Sequence, residues 1–108
     1  MTESGNVFGH IPPCMPAELF ETLAQKGAVR IERILSYGQV TPEGEWYDQD
    51  QDEWVLLLGG SAGLLFEGEA EPRSLMAGDY LMIPAHRRHR VAWTSLGETT
   101  IWLAVHIG

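Results

Sequence analysis

Two short stretches hold most of the groups able to do chemistry. The first, "YDQDQDE" at residues 47–53, sets Asp48, Asp50, Asp52 and Glu53 within six positions, with Gln49 and Gln51 between them. The second, "HRRHR" at 86–90, carries His86 and His89, two of the four histidines, among three arginines. Carboxylate, carboxamide and imidazole together are donors for a hard or borderline divalent cation. Without a cation, a carboxylate and an imidazole in one cavity are a general base and a general acid. Both chemistries require the two stretches to meet in space, which the elements that carry them must bring about.

The chain has 108 residues, the length of one domain. At that size about 60–70 % of the unfolded surface can be buried. The hydrophobic fraction of 44 % is that of an ordinary globular chain. A formal charge of −8 argues against nucleic acid and against anionic membrane surfaces as partners. Cys14 is the only cysteine, which rules out an internal disulfide and fits a reducing, cytoplasmic compartment. The start, "MTESGNVFGH", has neither the basic nor the apolar region of a signal peptide.

Residues 1–15 read as an arm, because "PPCMP" forbids helix and favours extended backbone. "PAELFETLAQKG" at 16–27 predicts one short helix. Pro16 suits a first turn, Glu18 and Glu21 suit the positive dipole end, Leu19, Phe20 and Leu23 share a face, and Lys26–Gly27 marks a stop. Beyond residue 28 the pattern is β. "AVRIERILSYG" alternates, and "EWVLLLGG" is a continuous apolar run. "HRVAWTS" sets His89, Val91 and Trp93 on one face. "TTIWLAVHI" sets Trp102, Ala104 and His106 on one face and Ile101, Leu103 and Val105 on the other. Seven or more short strands separated by Gly, Pro and Asp imply a sandwich or closed barrel. The expected division is an arm, helix and first strand over 1–34 and a barrel over 35–108.

With the strands placed, the two stretches match a family pattern. Glu53, six residues and Gly60 match the second half of a motif of the form G-x5-H-x-H-x3,4-E-x6-G. Gly78, five residues, Pro84, one residue, His86, two residues and His89 match a motif of the form G-x5-P-x-G-x2-H-x3-N. His86 stands at its glycine and Trp93 at its asparagine. On these motifs the chain resembles the small single-domain cupins, with a degenerate first metal motif. The resemblance implies an all-β jelly-roll barrel. The two histidines of the first motif fall on Trp46 and Asp48 with a four-residue gap, or on Tyr47 and Gln49 with a three-residue gap. Strand alternation lets only one of these pairs face inward, and the sequence leaves both registers open.

The candidate ligands of a divalent metal (Mn, Fe, Zn or Mg) are therefore Asp48, Gln49, Glu53 and His89. The candidate contacts to a small, anionic ligand are His86, Arg88, Trp93 and Tyr47. An arginine would orient a carboxylate, Tyr47 would donate a proton and Trp93 would narrow the cavity. Asp50 and Asp52 read as solvated loop carboxylates, and His10 and His106 carry no signal beyond composition. Three functions compete: a cupin holding a metal weakly, a metal-free cupin that binds a small molecule or isomerises it by acid–base chemistry with Glu53 and His89, and a mainly structural homodimeric barrel. The sequence does not decide whether the chain is an enzyme.

Overall fold

The computed structural model describes residues 4–108. The strands are β1 Leu19–Lys26, β2 Val29–Ser36, β3 Asp52–Gly59, β4 Ser61–Phe66, β5 Arg73–Met76, β6 Tyr80–Ile83, β7 His89–Thr94 and β8 Thr100–Ile107. They form two antiparallel sheets, one of five strands in the order β1-β2-β8-β3-β6 and one of three in the order β5-β4-β7. This is the expected jelly-roll architecture.

Residues 16–27 differ from the helix predicted for them. Leu19–Lys26 forms β1, antiparallel to β2, with a register shift between Thr22 and Ala24. Lys26–Gly27 is not a helix stop but the start of the hairpin turn, with Gly27 at φ +56°. The segment has helix-forming composition, but a helix there would leave the β2 edge unpaired. Ladder hydrogen bonds to β2 outweigh a propensity worth a few tenths of a kcal/mol per residue. All eight residues of β1 are exposed, as expected of an edge strand.

The face that the large sheet turns toward the small one is set by register. Arg30 on β2, His106 on β8, Glu53 on β3 and Ile83 on β6 stand side by side. The next inward row is Glu32, Ala104, Val55 and Leu81, and below it lie Ile34, Trp102 and Leu57. The facing side of the small sheet supplies Ala62, Leu64 and Phe66 from β4, opposite Thr94, Val91 and His89 of β7. Val55, Leu57, Ala62, Leu64, Phe66, Leu75, Ile83 and Trp102 form the main core. Each large side chain buried there contributes about 1.5–3 kcal/mol.

The opposite face of the large sheet is sealed at one end by the arm. Met15 packs on Leu35 and Ile101, with Ile11 alongside. Arg33 of β2 donates to the Val7 and Gly9 carbonyls at 2.9 and 2.6 Å and pairs with Glu21 at 2.7 Å. The β3–β4 turn needs its glycine twice over. Gly60 has φ +74°, and a Cβ there would stand 2.8 Å from the Thr100 Cα.

Candidate functional site

Residues 41–49 run beside β7 and close one side of the space between the sheets. The Thr41 N–H donates to the Val91 carbonyl at 3.0 Å, and Tyr47 and His89 exchange two backbone hydrogen bonds of 2.7 and 3.1 Å. This pairing settles the register. Tyr47 and Gln49 line the cavity, while Trp46 and Asp48 do not. The cavity has a volume of about 250 Å³. Its floor is apolar (Ile34, Val55, Leu64, Val91 and Trp102), and its upper wall carries Tyr47, Gln49, Glu53 and His89.

Glu53 and His89 do meet. They stand on different sheets, Glu53 Oε1 lies 4.0 Å from His89 Nε2, and their side chains are only 10 and 6 % exposed. Gln49 Nε2 donates to Glu53 Oε1 at 2.8 Å. His89 Nδ1 lies 2.8 Å from the Arg87 carbonyl, which can only accept, so Nδ1 carries a proton and Nε2 is left facing Glu53. Tyr47 stacks on the His89 ring with centroids 5.6 Å apart, and Phe66 lies against it at 6.0 Å. Burial, and after it the Glu18 and Glu53 carboxylates, pushes the Tyr47 phenol pKa above its usual value, so the phenol keeps its proton.

The other expected site residues lie elsewhere. Asp48 Oδ1 takes a 2.8 Å hydrogen bond from His86 Nδ1 on the outer surface, and Asp50 Oδ1 lies 3.5 Å from His86 Nε2. Arg88 pairs with Glu67 at 2.7 Å and lies over the Trp46 ring at 5.7 Å. Trp93 does not share a face with His89 and Val91. The register shifts between the pairs Gly63–Trp93 and Leu64–Val91, which makes Ala92 the extra residue of a bulge. The bulge turns Trp93 over Gly63, where an added Cβ would meet the indole Nε1 at 2.1 Å. His86 holds the motif's glycine position with φ +63°, a left-handed backbone that costs a non-glycine residue about 1–3 kcal/mol.

Sequence reasoning missed the other half of the cavity wall. Arg30, Glu32 and His106 line it, with Glu18 and Phe20 from the β1 side. His106 Nε2 donates to Glu32 Oε1 at 3.2 Å, and Glu18 Oε2 accepts from Ser36 Oγ at 2.5 Å. The signal for His106 was present in the alternation Trp102, Ala104, His106. What was missing was which face of β8 turns inward.

The donor set does not match the divalent metal that the fold suggests. With Asp48 bound to His86 outside, Glu53, His89 and the Gln49 carboxamide are what remain of the expected four ligands. Among the described residues no three His, Cys, Asp or Glu side chains converge in a way that could hold a metal ion. One carboxylate and one imidazole, with an amide already hydrogen-bonded to that carboxylate, do not make a resident metal site.

The same architecture recurs in solved structures. A protein of Ralstonia eutropha JMP134, provisionally named a mannose-6-phosphate isomerase, is 51 % identical, with 98 % of each chain covered and a TM-score of 0.95. A cupin superfamily protein of Desulfitobacterium hafniense DCB-2 is 22 % identical over 99 % of this chain and 93 % of its own, with a TM-score of 0.76. An RmlC-like cupin of Desulfovibrio desulfuricans is 16 % identical over 100 % and 97 %, with a TM-score of 0.75. No family model and no curated protein matches the sequence. The chain has the fold of these cupins and belongs with the Ralstonia protein, 51 % identical to it.

Proposed function

We propose that this cupin binds a small oxygenated molecule in the cavity and isomerises it by metal-free acid–base chemistry. The observation that carries the reading is the opening between Glu53 Oε1 and His89 Nε2. At 4.0 Å the two acceptors leave an opening between them, in which a ligand C–H faces Glu53 and the adjacent hydroxyl faces His89. Glu53 takes the proton from a carbon next to a carbonyl and returns it to the neighbouring carbon. Meanwhile Tyr47 O–H donates to the carbonyl oxygen, and His89 Nε2 accepts the proton of the adjacent hydroxyl. The electron pair of the broken C–H bond forms the C=C bond of an enediol and then the new C–H bond on the neighbouring carbon, while solvent carries the proton gained by His89 back to Tyr47, so nothing is oxidised or reduced and all three side chains are regenerated. The provisional name of the Ralstonia protein, an isomerase of a phosphorylated sugar, belongs to the same reaction class.

The test is incorporation of solvent deuterium into mannose 6-phosphate and other small hydroxy-carbonyl compounds, after exhaustive treatment with a chelator. Exchange at the carbon next to the carbonyl is expected, with a loss of about 100-fold or more in Glu53→Gln. Exchange that vanishes on chelation and returns with Mn²⁺ would replace this reading with a metal-dependent one. Exchange undiminished in Glu53→Gln would end it.

A further inference from the structure

The geometry points to Arg30 and His106 as a recognition subsite for a hydroxyl-bearing oxyanion, a deepening of the proposed function that rests on the ligand occupying the same cavity. Arg30 and His106 are opposite one another on β2 and β8, and Glu53 is the next residue in that row. All three line the cavity. Three carboxylates share it with Arg30, and each is hydrogen-bonded to another side chain rather than to the guanidinium. Glu18 accepts from Ser36, Glu32 from His106 and Glu53 from Gln49. Among the described residues Arg30 joins no ion pair, and its buried Nε has no partner.

A buried guanidinium N–H without a partner is costly, and a ligand oxyanion held by Arg30 offsets that cost. His106 is 4 % exposed, and its Nδ1 is the second buried nitrogen without a partner. Because Nε2–H is given to Glu32, the neutral ring presents Nδ1 as an acceptor. A cationic donor and a neutral acceptor stand side by side, so the matching ligand carries an oxyanion for Arg30 and a hydroxyl for His106. A small hydroxy acid and a hydroxylated phosphate ester share this chemistry. Glu32 acts through His106, as the carboxylate that fixes its tautomer.

The test measures binding of lactate, propionate, glycerol phosphate and glycerol by NMR titration to the wild type and to Arg30→Met, Arg30→Lys, His106→Phe and Glu53→Gln. Wild type is expected to bind at least one of the two hydroxylated anions. Arg30→Met should weaken it about tenfold or more and leave glycerol unchanged, with Arg30→Lys intermediate. His106→Phe should erase the preference for lactate over propionate. Comparing lactate with glycerol phosphate separates a carboxylate ligand from a phosphate one. Two results overturn the subsite: Arg30→Met binding the anions as tightly as wild type, or wild type binding neither hydroxylated anion. Arg30-dependent binding without deuterium exchange would sink the isomerase reading and leave the subsite standing. Glu53-dependent exchange indifferent to Arg30→Met would do the reverse.

Discussion

His86 and His89 are three residues apart, and each faces a carboxylate from the same acidic segment, but the two pairs differ in every physical respect. His86 and Asp48 are 64 and 46 % exposed and form a closed 2.8 Å hydrogen bond. His89 and Glu53 are 6 and 10 % exposed and stand 4.0 Å apart across a cavity. The closed pair is satisfied, and water screens whatever it gains. The open pair holds two proton acceptors apart, with room for a ligand between them. Gln49 joins the two, with its carbonyl accepting from the His86 N–H at 2.7 Å and its side chain donating to Glu53. A short contact between ionisable groups is therefore the weaker indicator of a site here, and an unmet contact inside a cavity is the stronger one.

The sharpest way to break this contrast is to neutralise each carboxylate in turn. Glu53→Gln is expected to cut proton exchange about 100-fold or more, whereas Asp48→Asn should leave it within about twofold. Equal losses in the two variants would show that the outer pair is part of the machinery. A smaller effect is expected from filling the floor. Val55→Phe grows into the cavity, and the affinity for a bound hydroxy acid should fall about tenfold. The melting temperature should stay close to that of the wild type, because the added ring has space to occupy. Unchanged affinity would place the ligand outside this cavity.

The smallest expected effect belongs to the outer pair. The Asp48 hydrogen bond raises the His86 pKa above its usual value, and the Asp48 and Asp50 charges add to it. A histidine whose folded pKa is raised contributes stability that is complete below its unfolded value of about 6.5 and is lost as pH rises through the folded value. Asp48→Asn should lower the His86 titration midpoint and flatten this pH dependence, and NMR titration of the ring protons in both proteins reads it directly. An unmoved midpoint would mean that the Asp48–His86 bond does not persist in solution.

The parts of this architecture legible in the sequence are those encoded by backbone chemistry. Gly60, Gly78 and Pro84 fix turns through φ, and turns fix spacing, so the sequence alone places Glu53 and His89 in one barrel. What was illegible depends on partners distant in the chain. "LFETLAQK" carries a helical composition, and only β2 makes it a strand. Alternation divides β2 into Val29, Ile31 and Leu35 against Arg30, Glu32 and Ile34 without saying which set faces in. The apolar set proved to be the outer one, sealed at Leu35 by Met15 of the arm, and Arg30 and Glu32 therefore face the cavity. The position of Trp93 depended on a single inserted residue, Ala92, that reverses every side chain beyond it.

Long-range ¹H–¹⁵N NMR of the imidazole rings, recorded as lactate or glycerol phosphate is added, reads the state of the cavity histidines directly. Free His89 is expected to be protonated at Nδ1, the His89 and His106 ring nitrogens to shift together on ligand addition, and His86 to stay where it was. Shifts confined to His86, or a His89 ring that carries its only proton on Nε2, would contradict a ligand site between Glu53 and His89.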